Sequence, residues 1–193
     1  LTAKDIDSTI TLKELYEYNG IDIHMYTTNI NSEHISKIDM SHTTHPDLPL
    51  LQSLYRSMSY PFLFKPVCHD DACFIDGGLL NNYPLNDCIN QTKCNTDEIL
   101  AFKNIWITEK STINEVSTMI DFLIVLIKKM QNEINTEPKQ DVIKNTVLCY
   151  IENLSDITDW INAFSSEEMR LNYIEKGEEQ AKTFLSQLLK DDK

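Results

Sequence analysis

The residues with the most chemical potential in this chain gather between Cys68 and Asn82. Ala72 to Ile75 is a short apolar run of the kind a buried strand shows, and it stops at the carboxylate of Asp76. Gly77 and Gly78 follow, two of only four glycines in the chain, so the backbone there is free to turn with positive φ and to let another segment or a ligand come close. Asp76 would then sit at the carboxyl end of an interior strand, where open α/β sheets place their ligand crevice. Capping of a turn is an equally good use of an Asp in this position. Immediately upstream, Cys68-His69-Asp70-Asp71-Ala72-Cys73, with Cys88 and Cys94 beyond, invites a zinc site, but neither cysteine pair has the tight spacing of structural zinc ligands. Cys68 and Cys73 equally suit buried strand positions, and no metal is expected. A thiol nucleophile activated by a neighbouring histidine has only proximity in its favour. His42 and His45 lie in a polar loop and read as solvated, and Ser57 and Ser59 lack the flanking glycines of a nucleophile turn.

The elements that must position these residues alternate along the chain. Thr11-Leu12-Lys13-Glu14 has the form of a capping box, and the short helix it opens is closed by Asn19-Gly20. Alternating Ile21, Ile23 and Met25 predict a strand, the stretch 29–33 a turn, and 34–40 a second strand. Residues 41–49 form a polar loop, after which Leu50, Leu51, Leu54, Tyr55 and Met58 recur at helical spacing up to the stop before Pro61. Residues 66–75 read as strand, turn and strand, with His69-Asp70-Asp71 at the turn. Residues 86–97 read as a polar connector and 99–108 as another strand. Val116, Ile120, Leu123, Ile124, Ile127 and Met130 make one broad stripe, predicting a helix over 113–134 that buries 122–127 against a sheet; Pro138 interrupts the chain beyond it. A strand over 146–151 and a final mixed-charge helix from Ser165, weakened by Gly177, complete an α/β layered domain.

Size and charge narrow the function classes. A chain of 193 residues fits one domain or part of a larger one. Its net charge of −13 excludes nucleic acid as a partner, because phosphate contacts need clustered Lys and Arg. The same charge opposes electrostatic docking on anionic lipid, so any peripheral membrane contact must be apolar and local. Five cysteines and an opening that carries Lys4, Asp5 and Asp7 suggest reduced thiols and an intracellular location, cytoplasmic or peripheral to a membrane.

Tyr55-Arg56-Ser57-Met58-Ser59-Tyr60-Pro61-Phe62, followed by Asp76-Gly77-Gly78-Leu79-Leu80-Asn81-Asn82-Tyr83-Pro84, resembles the acidic half of the patatin-like phospholipases. Upstream, 28–31 is similar to that family's strand-end segment and 11–20 to its preceding helix; downstream, 174–177 is similar to its last helix. The resemblance implies the later portion of a three-layer α/β/α sandwich, with 1–193 as one partial domain. It also implies a lipid acyl hydrolase of the phospholipase A or lysophospholipase type, acting on a phospholipid or other acyl ester without a cofactor. In that family a serine in a Gly-x-Ser-x-Gly turn is paired with an aspartate, and the aspartate maps onto Asp76, with Gly77 and Gly78 shaping its turn.

The serine motif cannot exist here, since the glycines are Gly20, Gly77, Gly78 and Gly177. The resemblance therefore supplies a base without its nucleophile, and these residues alone are expected to be inactive. Three states are open: a fragment of an active hydrolase, one half of a split enzyme completed by another chain, or a degenerate copy that binds lipid or regulates a partner. The fragment is the expectation carried forward.

Overall fold

A computed structural model describes residues 6–107, 112–135, 143–151 and 157–191. Its described residues fall into two compact units, one of 6–82 with 130–135 and one of the remaining residues from 83 onward. The secondary structure is mixed α/β, in accord with the fold class the resemblance implies.

The first unit begins with α1 (Leu12–Asn19). Thr11 caps it, Glu14 returns the bond to the Thr11 backbone, and Gly20 ends it at φ 69°. β1 (Met25–Asn29) and β2 (Ser36–Met40) form an antiparallel hairpin, followed by α2 (Leu50–Ser57), β3 (Val67–His69) and β4 (Ala72–Asp76). The four strands make one antiparallel sheet in the order β2-β1-β4-β3. β1 starts four residues later than the alternation predicts, and Ile21 stays 59% exposed. The physical reason is the partner: Met25 is the first residue opposite a β2 residue, Met40, and the residues before it have no strand to pair with. Leu12, Leu15, Met40 and Leu50 form the core, with Ile10, Ile23, Met25, Ile38 and Leu48 packed around them. Backbone bonds from Leu12 to Leu48 (3.0 Å) and from Leu50 to Ile10 (2.8 Å) tie the entrance of α1 to the entrance of α2.

The sheet is antiparallel throughout. One expectation fails in this unit. Cys68 and Cys73, read as reduced thiols, are joined in a disulfide. They lie directly opposite one another in the β3–β4 register, which brings their side chains together on one face.

The second unit contains α3 (Leu85–Thr92), β5 (Ala101–Trp106), the N-terminal part of α4 (Met119–Asn135), β6 (Thr146–Ile151), α5 (Ile157–Ser165) and α6 (Glu167–Asp191). β5 and β6 run parallel from Ala101↔Thr146 to Trp106↔Ile151. Where a polar connector was expected, α3 forms, because Leu85, Cys88 and Ile89 share one helical face and pack with Ile99, Ala101 and Ile143. The α4 stripe is shifted and less buried than expected. Thr118 and Asp121 cap each other's backbone N–H groups (3.2 and 2.8 Å) and start the helix at Met119. Val116 is left outside it, and Phe122, Leu123 and Leu126 remain exposed rather than covered by a sheet. Pro138 lies outside the described residues. In α6, Gln180 accepts from the Tyr150 N–H (3.2 Å) and donates to its carbonyl (3.1 Å). No described helix is long and apolar enough to cross a membrane.

A histidine braces the β1–β2 hairpin. His24 directs Nδ1 at both Asp39 oxygens (2.9 Å each) and Nε2 at Asp22 (3.2 Å), while Asp22 also holds His42 Nδ1 (2.9 Å) and the His42 ring stacks on Tyr16. Burial alone would lower the His24 pKa, but Asp39 and then Asp22 outweigh it, and the net shift is upward from 6.5. With the folded pKa above the unfolded one, the contribution is complete below about pH 6.5 and is lost as pH rises through the folded value. Urea unfolding should therefore show the first unit losing stability as pH rises above about 6.5, and His24→Gln should remove most of that slope. An unchanged slope would exclude His24 as its source.

Candidate active site

Asp76 ends β4, an interior strand, and the chain leaves it through a single 3₁₀ turn, Gly77–Leu79. The strand tip is held from several sides. Asp76 N–H donates to the Ser59 carbonyl (3.0 Å), so a residue two past the end of α2 continues the pairing where β4 would otherwise end. On β1, the Thr28 hydroxyl donates to the Asp76 carbonyl (3.2 Å), and the Thr27 hydroxyl to those of Ile75 (2.8 Å) and Arg56 (3.2 Å). Thr27 and Thr28 are essentially fully buried, so these bonds are shielded from water.

The side chain is held as firmly as the backbone. Asp76 Oδ1 accepts from Gly78 N–H at 2.7 Å, which fixes the plane of the carboxylate. Oδ2 has no hydrogen-bond partner among the described residues. Burial pushes the Asp76 pKa up, and the Gly78 N–H pulls against that rise without cancelling it. Tyr60 shares this environment: burial, and then the Asp76 charge, raise its pKa. The Tyr60 hydroxyl donates to Gln131 Oε1 (3.3 Å), and Gln131 Nε2 donates to the Gly78 carbonyl (2.9 Å), so the turn is tied at both its N–H and its C=O.

Neither glycine is needed for a left-handed backbone; Gly20 is the glycine with positive φ. The requirement is space. A Cβ on Gly77 would lie 2.6 Å from the Tyr26 carbonyl carbon and 3.0 Å from Thr27 N, both backbone atoms that cannot swing aside. A Cβ on Gly78 would meet Asn82 Oδ1 at 2.8 Å and Asp76 Oδ1 at 3.0 Å.

The other sequence candidates lie apart from this turn or are chemically engaged. His42 is bound to Asp22, and His45 Nδ1 lies 3.0 Å from the hydroxyl of Thr44. Ser59 is buried and donates to the Tyr55 carbonyl, an α2 back-bond that leaves its hydroxyl committed. Cys68 and Cys73 carry no free thiol, while Cys88, Cys94 and Cys149 are unpaired and half-buried. Tyr60 and Gln131 had no sequence signal of their own, being joined across a separation of 71 residues.

Two outcomes follow from this geometry. Gly77→Ala should destabilise the fold by about 1–3 kcal/mol in urea titrations, since the added methyl forces backbone apart. Asp76 has a folded pKa above its unfolded one, so its charge opposes folding once pH exceeds the ordinary carboxylate range. Asp76→Asn, which keeps an oxygen for Gly78, should raise stability by ~1 kcal/mol at neutral pH, and the gain should vanish below about pH 4. A destabilised Asp76→Asn protein at neutral pH would refute that account.

Residues 5–89 match the family model described as patatin-like phospholipase. Over 129 residues, 64% of this chain, the sequence is 30% identical to the probable lipid hydrolase 463L of Invertebrate iridescent virus 6. The matched region spans 43% of that protein, so the chain corresponds to less than half the length of its relative. The Asp-Gly-Gly turn lies inside the residues 5–89 that are similar to the patatin-like phospholipases.

Proposed function

We propose that the gene product containing this chain is a lipid acyl hydrolase of the phospholipase A or lysophospholipase type, in which Asp76 is the base of a Ser-Asp dyad. One observation carries it: a half-buried carboxylate at a strand tip, oriented through Oδ1 by Gly78 N–H, with Oδ2 unpartnered among the described residues. A serine hydroxyl is a poor nucleophile until a base accepts its proton during attack. Aspartate, at about pKa 3.9 in water, is a weak base, and the burial that raises it here also raises its proton affinity.

The reaction proceeds in two acyl transfers. The serine oxygen attacks the ester carbonyl as its proton passes to Oδ2, and backbone donors hold the oxyanion. Collapse expels the lipid alcohol, which takes the proton from Asp76 and leaves an acyl-serine. Water then attacks with Asp76 again as base, releasing the fatty acid and restoring the hydroxyl. The serine and the oxyanion donors are supplied from outside these 193 residues, either by the rest of a longer chain or by a completing one. No step requires a metal. The substrate is a phospholipid or related acyl ester met at a membrane surface; the name of the viral relative says of that protein only that it is a probable lipid hydrolase.

The test is a serine-directed fluorophosphonate probe applied to the whole gene product. Labelling is expected, and Asp76→Asn should reduce its rate by about two to four orders of magnitude, the usual range for a lost general base. A folded gene product that takes up no probe would instead be a lipid-binding module without catalysis.

A further inference from the structure

We infer that a second site, on the Asp76 face of the sheet, is built to hold a zwitterionic phosphodiester headgroup, the phosphate on Arg56 and the ammonium at the β3–β4 turn. Its use as a substrate subsite rests on the hydrolase proposal; the binding itself does not. A cavity of about 460 Å³, within the range of small-molecule sites, is lined by Asn29, Arg56, His69, Asp70, Asp71 and Phe74. Arg56 lies over the Phe74 ring, its guanidinium carbon 4.4 Å from the centroid. Its Nε is buried without a hydrogen-bond partner, and among the described residues no carboxylate comes within ion-pair distance of it. A guanidinium whose Nε is buried and which lacks an acid is better satisfied when something anionic meets its remaining N–H groups.

Asn29 supplies a second donor. Its Oδ1 accepts from Asn31 N–H (3.0 Å) and Cys73 N–H (3.1 Å), so its amide NH₂ is the group left for the cavity. The opposite sign stands at the turn, where Asp70 is paired with His69 (2.8 Å) and Asp71 has no ion pair among the described residues. A free phosphate dianion would be attracted by Arg56 and repelled by these carboxylates. A phosphodiester carrying an ammonium satisfies both ends. Register links the cavity to Asp76: Asn29 faces Phe74 across the β1–β4 pair, and Thr27 faces Asp76. Phe74 precedes Asp76 by two residues, placing the cavity about 7 Å along the same face. The ester carbonyls of a glycerophospholipid lie only a few bonds from its phosphorus, so one molecule reaches from Arg56 to the candidate base.

Calorimetric titration of the full chain tests this with three soluble probes: glycerophosphocholine, inorganic phosphate and choline chloride. Glycerophosphocholine should bind saturably and at least about fivefold more tightly than either half. Arg56→Gln should weaken it about tenfold, the loss of one charge-assisted contact. Asp70→Asn with Asp71→Asn should abolish the preference over phosphate. These exposed turn positions suit Asn, which tolerates the left-handed conformation Asp70 adopts at φ 50°, so this double variant decides the matter even if Arg56→Gln does not fold. Non-saturable binding, phosphate binding as tightly as glycerophosphocholine, or a preference unchanged in the double variant would overturn the site. Probe labelling that depends on Asp76 alongside failed headgroup binding would leave the hydrolase and remove the headgroup site. The converse pair of results would do the reverse.

Discussion

Two buried hydroxyls on β1 hold the place where the sheet stops being a sheet. Thr27 and Thr28 point to opposite faces, yet each reaches a carbonyl at the end of β4, those of Ile75 and Asp76. Strand ends normally surrender such groups to water, but here water is excluded and the threonines replace it. Because Thr27 also binds the Arg56 carbonyl, the same hydroxyl joins the end of α2 to the strand tip. The Asp76 carboxylate is therefore set by a backbone that has lost its freedom before its side chain makes any contact.

That rigidity carries an energetic cost. A carboxylate whose pKa is raised by burial destabilises the folded chain at neutral pH, and the Gly78 N–H recovers only part of the loss. Arg56 repeats the pattern with the other sign, since burial lowers its pKa and no acid answers it among the described residues. Two uncompensated charges on one face of a small antiparallel sheet are a poor solution for stability alone. They make sense if both are completed by a ligand that reaches them together.

What the sequence disclosed was mostly local. The Thr11–Glu14 box, the Gly20 stop and the β3–β4 turn each depend on residues within a few positions of one another, and all three stand as read. The Asp-Gly-Gly segment marked the right turn but for a partly wrong reason: Gly77 is there because Tyr26 backbone passes beneath it, a contact made across 51 positions of chain. Nothing in the local pattern could reveal the Tyr60–Gln131–Gly78 tie or the orphaned Nε of Arg56, because both depend on which elements meet in space. Residues 86–97 misled through polarity, the few apolar side chains of α3 being spaced to fit one face rather than clustered. In α4 the stripe was visible, but its cover was not, since periodicity reports a face and never what lies on it.

The Gln180 side chain has a role out of proportion to its size. By meeting both the N–H and the C=O of Tyr150, it imitates the peptide group of a neighbouring strand and occupies the spot where a foreign strand would first attach to β6. A helix thus serves as a removable border for the parallel pair. Gly177, less than one turn away and with open space where a side chain would sit, is where that border is softest, so fraying of α6 there would open the β6 edge to cross-chain pairing.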